Sequence, residues 1–241
     1  MSTLNGKCAV VTGGSRGIGF AIARALLDRG ASVVITGTKA ETLAKAAASL
    51  ETGGRGGGIA TEAADVRKPA DVDRMLATAS SRFGGVDILV NNAAVGIFTN
   101  VADMSTQQWS EVIDTNVTGM FLCCHAAIPL MRKRGGGWII NISSLAGTNP
   151  FPSAAAYCAS KAAVDAFSQA LMQEVRHDGI RVAHIAPGSV NTNFAGHEPS
   201  GGDWKLAPED IAEVVVDLTS HPARSLPSRV EIRPARPPKK G

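Results

Sequence analysis

Aromatic residues are scarce in this sequence, making up 5% of its 241 positions, with one tyrosine, Tyr157, beside seven phenylalanines and three tryptophans. Charged residues are sparse too, at 19%, whereas 44% of the chain is hydrophobic, a composition that excludes a disordered, collagen-like or coiled-coil protein. Lysine and arginine number 24 against 21 acidic residues, a net charge of +3, and the basic residues are scattered, so no nucleic-acid partner is implied. No uninterrupted apolar run approaches the roughly 20 residues that a bilayer crossing needs. The opening MSTLNGK has no apolar stretch of the signal-peptide kind. A cytoplasmic protein with no membrane contact is expected.

Cysteine is also short. Cys8, Cys123, Cys124 and Cys158 are too few and too unevenly placed for a disulfide framework. Cys123, Cys124 and His125 are consecutive, so on one helix they point about 100° apart from one another and cannot converge on an ion. No metal is expected, and the cysteines read as small buried residues.

What the sequence does have is a regular alternation. Short apolar runs at residues 7–12, 32–36, 59–64, 86–90, 138–142 and 180–185 have the length of buried strands. Helix-like stretches separate or follow them at 17–29, 41–50, 71–83, 107–132, 155–177 and 209–220. A parallel crossover needs a connection of helix length, so this order predicts βαβ units and a doubly wound α/β domain with helices on both faces. The length suits one large domain or two small ones, and with no linker to divide it a single domain over 1–241 is expected. The glycine-rich stretch 53–58 precedes a strand instead of opening a helix, and reads as a floppy connection. Residues 233–241 combine prolines with a small basic cluster and read as a solvated tail.

The first strand leads into Thr12-Gly13-Gly14-Ser15-Arg16-Gly17-Ile18-Gly19, which opens a helix. Glycines there let the turn tighten, let backbone approach a diphosphate and let helix pack on strand, while the helix N-terminus offers unpaired N–H groups. In this position the turn points to a dinucleotide. An NAD-selective site places an acid about 20 residues on, at the end of the second strand. Here that strand ends Thr36-Gly37-Thr38-Lys39, and the first carboxylate is Glu41. Thr38 leaves room for a 2′-phosphate, and Arg16 and Lys39 would neutralise it unless they are merely solvated cations. NADP(H) is the expected cofactor.

Tyr157 and Lys161 are four residues apart at the start of a predicted helix, which puts them on one face. A free phenol with pKa near 10 is a poor proton carrier at neutral pH, and a nearby ammonium favours the phenolate. Ser144 follows the fifth strand, at the sheet edge where open α/β sheets bind ligands and where the glycine turn also lies. A hydroxyl there can donate to a carbonyl oxygen as charge develops on it.

Taken together, Thr12-Gly13-x-x-x-Gly17-Ile18-Gly19, Asn91-Asn92-Ala93, Ser144, Tyr157-x-x-x-Lys161 and Pro187-Gly188 resemble, in order and spacing, the short-chain dehydrogenase/reductase family. The resemblance runs from about residue 5 to residue 192. It implies a Rossmann-type domain with a seven-stranded parallel sheet. It also implies Tyr157 as general acid/base, Ser144 as the group orienting the carbonyl, and Lys161 lowering the Tyr157 pKa while holding the nicotinamide ribose. Asn116 matches the family's helix asparagine, which supports a water-linked proton path to the lysine. Asp65 and Val66 match a pair that touches adenine, and Asn92 and Ala93 line the adenosine ribose region. Val190 and Thr192 match contacts to the nicotinamide carboxamide and diphosphate. A basic residue before the second motif glycine, here Arg16, resembles the family's NADP-preferring pattern.

Two departures stand out. Ala94 takes a place where many members have glycine, and the chain closes Arg229-Val230-Glu231-Ile232-Arg233-Pro234 where many members have a strand followed by Asp-Gly-Gly. The second puts a homotetramer in doubt and leaves a homodimer through the helices around 107–132 and 155–177. The implied activity is hydride transfer between NADP(H) and a small-molecule ketone or secondary alcohol, with residues 193–206 as a substrate flap. A 3-oxoacyl-[acyl-carrier-protein] reductase is the alternative within the class. A non-catalytic NADP-sensing protein is the alternative outside it.

Overall fold

The computed structural model describes residues 4–51, 57–196 and 204–238. Its seven strands, β1 (Cys8–Val11), β2 (Ser32–Gly37), β3 (Ile59–Ala63), β4 (Ile88–Asn91), β5 (Gly137–Ile142), β6 (Ile180–Pro187) and β7 (Arg229–Ile232), form one sheet. The order is β3-β2-β1-β4-β5-β6-β7, and every pairing is parallel.

The apolar runs work because alternate residues serve opposite faces. Ala9 and Val11 of β1 and Val33 and Ile35 of β2 pack into one core, against α1 (Gly17–Asp28), α2 (Ala40–Glu51) and α7 (Pro208–Ser220). Cys8, Val10 and Val34 pack into the other, against α3 (Pro69–Phe83), α5 (Gly119–Lys133) and α6 (Ala155–Val175). A sheet covered on both sides in this way reads as continuous hydrophobic sequence. The helices carry recognisable punctuation: Pro69 and Pro208 start α3 and α7, and Gly84 ends α3 with a left-handed φ of 81°. Ser105 and Gln108 form a reciprocal cap on α4 (Thr106–Ile113).

Two expectations need correction. Residues 107–132 do not form one regular helix, because Asp114–Thr118 make a π-helical turn between α4 and α5. The turn carries Asn116, and its amide reaches the backbone of Val95 (Nδ2 to O 2.9 Å, N to Oδ1 2.8 Å), which a regular turn need not present. The tail is not wholly solvated either. Arg233 and residues 235–238 are exposed as expected, but Pro234 packs so closely that a Cβ on Gly188 would stand 2.8 Å from its ring. Residues 53–56 and 239–241 lie outside the described residues.

The four cysteines are free and buried. Burial, with the Asp87 carboxylate adding to it, pushes the Cys8 thiol up to about 12, and burial pushes Cys124 up to about 12. Among the described residues no group of three metal-ligating side chains converges, and no helix is long and apolar enough to cross a membrane.

Asp87, 4% exposed, ties β1 to the chain before β4. It accepts from the Cys8 backbone N–H (2.9 Å), the Lys7 ammonium (3.1 Å) and the Arg134 guanidinium (2.9 Å). Burial alone would raise its pKa, but Arg134, the Cys8 N–H and Lys7 outweigh that and hold it below the ordinary carboxylate range. The stabilisation is therefore complete above the unfolded value of about 3.9 and is lost as pH falls through the folded one. Asp87→Ala leaves the fully buried Cys8 N–H without a partner, so a loss of about 2 kcal/mol is expected. Thermal melts at neutral pH should show it as a Tm drop of about 4–8 °C, shrinking as the pH is taken below about 4.

Candidate active site

The strand order reverses between β1 and β4, and the loops after these strands part there to open a cleft of about 1310 Å3 at the C-terminal edge of the sheet. Three local features build its floor. Gly13 and Gly17 take left-handed φ values of 64° and 55°, which let the chain turn sharply from β1 into α1. A Cβ on Gly19 would collide with the Gly13 carbonyl oxygen and the Asn92 amide, so that glycine sets the closeness of helix and turn. Asn92 then pins the turn, donating from Nδ2 to the carbonyls of Thr12 (2.9 Å) and Gly13 (3.1 Å), while the Thr12 hydroxyl accepts from the N–H groups of Asn92 and Ala93 (both 3.0 Å).

Of the residues singled out in the sequence, Gly13, Ser15, Arg16, Gly17, Ile18, Thr38, Asp65, Val66, Asn92 and Ala93 line one end of the cleft. Ser144, Tyr157, Lys161, Pro187, Gly188, Val190 and Thr192 line the other. The two ends meet where a Cβ on Gly17 would stand 3.4 Å from Thr192. Gly19 lies behind the wall, as its packing requires. Lys39 is exposed beyond Thr38 and is not part of the lining, because its carbonyl accepts from Leu43 N at the start of α2 and its side chain leaves for solvent. The Asp65 carboxylate is engaged by Arg67 (2.6 Å), and that pairing holds it below its usual range.

Ser144 caps a short 3-10 turn, Leu145–Gly147; its oxygen accepts from Ala146 N (3.1 Å), and its hydroxyl is directed at the Tyr157 phenol. Tyr157 and Lys161 sit one turn apart in α6, and Lys161 is 4% exposed. Its ammonium donates to the Ile142 carbonyl (2.9 Å) and lies 5.7 Å from the centre of the Tyr157 ring. Burial drives the Lys161 pKa down to about 8, with the Asp165 carboxylate opposing. Burial also pushes the Tyr157 phenol above its usual value, and the Ser144 hydroxyl only partly offsets this. The expected lowering of the phenol by the ammonium is therefore absent in this state: the charge is directed at Ile142, and desolvation dominates.

Asn116 is buried, and besides Val95 its amide donates to the Ser160 hydroxyl (3.0 Å). Between it and Lys161 lies a chamber of about 10 Å3, also bounded by Thr12 and Asn91, a volume that suits one water.

Sequence reasoning missed several neighbours. Asp165, four residues after Lys161, binds the Ser143 hydroxyl and lies 3.7 Å from Nε2 of the fully buried His184. The spacing 157, 161, 165 was the available signal. Arg233, Pro234 and Pro237 also line the cleft, as do Phe98 and Phe151 from the loops after β4 and β5. Loop residues carry no periodic signal, so only the strand-end position of those loops marked them.

The proposed flap leaves and returns through a bridge between Val190 and Leu206, and Phe194, Ala195, Gly196, Trp204 and Lys205 line the cleft. Residues 197–203 of it lie outside the described residues.

A doubly wound sheet whose switch point opens such a cleft defines the class of Rossmann-type ligand-binding folds. Within that class the chain belongs to the short-chain dehydrogenase family, whose model, described as short chain dehydrogenase, matches residues 7–201. An uncharacterized oxidoreductase of Staphylococcus epidermidis is 36% identical over 234 residues, which span 97% of this chain and 100% of that protein. Among solved structures, an alcohol dehydrogenase from the archaeon Thermococcus sibiricus complexed with 5-hydroxy-NADP superposes with a TM-score of 0.87 at 29% identity, covering 97% of this chain and 99% of that one. A metagenomic short-chain oxidoreductase in complex with NADP gives a TM-score of 0.84 at 35% identity, covering 98% and 100%.

Proposed function

We propose that the protein is an NADP(H)-dependent oxidoreductase that interconverts ketones and secondary alcohols. The observation that carries this reading is the meeting, in one cleft, of a glycine turn suited to a diphosphate with the hydroxyl of Ser144, the phenol of Tyr157 and the ammonium of Lys161. Bound NADPH supplies hydride, and the remaining work falls to the protein. Ser144 donates to the carbonyl oxygen and fixes its direction. Tyr157 gives its proton to that oxygen in reduction and takes it back in oxidation. Lys161 would hold the ribose hydroxyls at the nicotinamide end, and the chamber that it shares with Asn116 has room for one water.

The cofactor fits the residues present. The N-terminus of α1 faces the cleft behind a turn with left-handed glycines, Arg16 and Thr38 line the cleft and would meet a 2′-phosphate, and β2 ends in Gly37 with no carboxylate to repel it. The NADP complexes of the two structural relatives support the same choice. The proposed assembly is a homodimer through α4, α5 and α6, where Trp109 and Phe121 are each 45% exposed.

Thermal shift separates the two cofactors, because a ligand bound only to the folded state raises stability by RT ln(1 + [L]/Kd). NADPH should raise Tm more than NADH at equal concentration, and Arg16→Ala should reduce the difference. Equal shifts by the two would refute the phosphate assignment.

A further inference from the structure

In a chain with so few aromatic residues, two of its seven phenylalanines meet its one tyrosine and a third packs on one of the two. Phe98 comes from the loop after β4 and stands edge-on to Tyr157, with ring centres 5.6 Å apart and planes at 75°. Phe194, from the loop after β6, is 5.6 Å from Tyr157 with planes at 51°. Phe151, from the loop after β5, lies 6.0 Å from Phe98.

Backbone features hold these rings. A Cβ on Gly96 would come within 2.7 Å of Phe194 and 3.3 Å of Phe98, so a side chain there would push these rings from the places they take in the loop after β4. Ser153 adopts a left-handed φ of 62°, uncommon for a residue with a side chain, and its hydroxyl donates to Asn100 Oδ1 (2.8 Å), tying the loop of Phe151 to the loop of Phe98. Phe98 and Phe151 remain 39% and 48% exposed although both line the cleft beside the reactive phenol. Apolar rings held open to solvent at a ligand site gain when a ligand covers them.

We infer that Phe98, Phe151 and Phe194 form a receptor for an aromatic ring borne by the substrate carbonyl, so that aryl ketones, and the secondary alcohols matching them, are the substrate class. The inference rests on the oxidoreductase reading and specifies its substrate. The rings present edges and faces and no charge, which matches the offset and edge-to-face contacts of a neutral aryl group. A carbonyl attached to that ring then falls within reach of Ser144 and Tyr157.

The test uses the full chain, with acetophenone and butan-2-one as probes. NADPH oxidation should give acetophenone a kcat/KM advantage of about tenfold or more, the order that one or two ring contacts supply. Phe98→Ala and Phe151→Ala should each lower that ratio, and Phe98→Leu, which keeps bulk without a ring, should recover it only partly. Their partial exposure predicts folded variants, which unchanged Tm values check. In parallel, saturation-transfer NMR with NADP+ present should show acetophenone bound through its ring protons, with the signal weakened in Phe98→Ala. Equal or better turnover of butan-2-one by the wild type overturns the aryl assignment and leaves the oxidoreductase reading intact. If neither ketone is reduced, the oxidoreductase reading fails, and the NMR decides the receptor: ring saturation lost in Phe98→Ala supports it, and no saturation overturns it.

Discussion

Tyr157→Phe should lower kcat for ketone reduction by about a thousandfold while the protein stays folded and still binds NADPH, because the change removes one oxygen and keeps the ring contacts with Phe98 and Phe194. A positioned general acid is worth about 10²–10⁴ in rate, and Tyr157 is the only phenol in the chain, so no second tyrosine can stand in. Steady-state kinetics and a thermal shift with NADPH measure the two halves of this expectation. Retention of more than about a tenth of the wild-type kcat would remove Tyr157 from the proton transfer. The direction of its pKa adds a pH signature. Burial holds the phenol protonated beyond its usual range, so reduction, which needs the proton, should be insensitive to pH through neutrality. Alcohol oxidation, which needs the phenolate, should climb with pH over the same span.

The second large effect concerns Lys161. Burial holds its pKa down at about 8, so its charge is lost as pH rises through that value. A cofactor carrying several negative charges favours the ammonium and raises that pKa on binding. Binding is then coupled to proton uptake. The sign is fixed: affinity for NADPH is greatest below the free pKa of about 8 and falls above it, by at most tenfold per pH unit, until the bound-state pKa is passed. Lys161→Met should lose about tenfold or more in affinity at neutral pH, the order of a charge-assisted hydrogen bond. It should also lose the decline above pH 8, and fluorescence titration across pH follows both changes. An unchanged alkaline decline in Lys161→Met would assign the titration to another group. Asp165→Asn gives a milder companion result: with the opposing carboxylate gone, the decline should begin at lower pH.

Much of the architecture was legible because it follows from local rules. Buried strands of a doubly covered sheet read as short apolar runs, and six of the seven were visible in that way. β7 was reached only through the family resemblance: it alternates exposed Arg229 and Glu231 with half-buried Val230 and Ile232 at the sheet edge, and so has no apolar run to reveal it. The cleft was legible in outline, since Gly13 to Gly19, Ser144, Tyr157 and Lys161 sit at strand ends or at helical spacing. What escaped depends on contacts distant in sequence. The π-turn at Asp114–Thr118 answers to Val95, the fold-back of Pro234 answers to Gly188, and the meeting of three phenylalanines answers to loops that share no periodicity. The state of the Tyr157–Lys161 pair escaped for a different reason. Spacing on a helix sets which side chains share a face, while desolvation and the Ile142 carbonyl decide where the ammonium points and what it does to the phenol.

The central claim is hydride transfer to a carbonyl carbon held beside Tyr157. Incubation of the protein with acetophenone and NADPH deuterated at nicotinamide C4, on one face at a time, followed by mass spectrometry of the alcohol, tests it most directly. The account predicts one deuterium at the carbinol carbon from one of the two labelled cofactors and none from the other. Alcohol formed without label from either cofactor would contradict it.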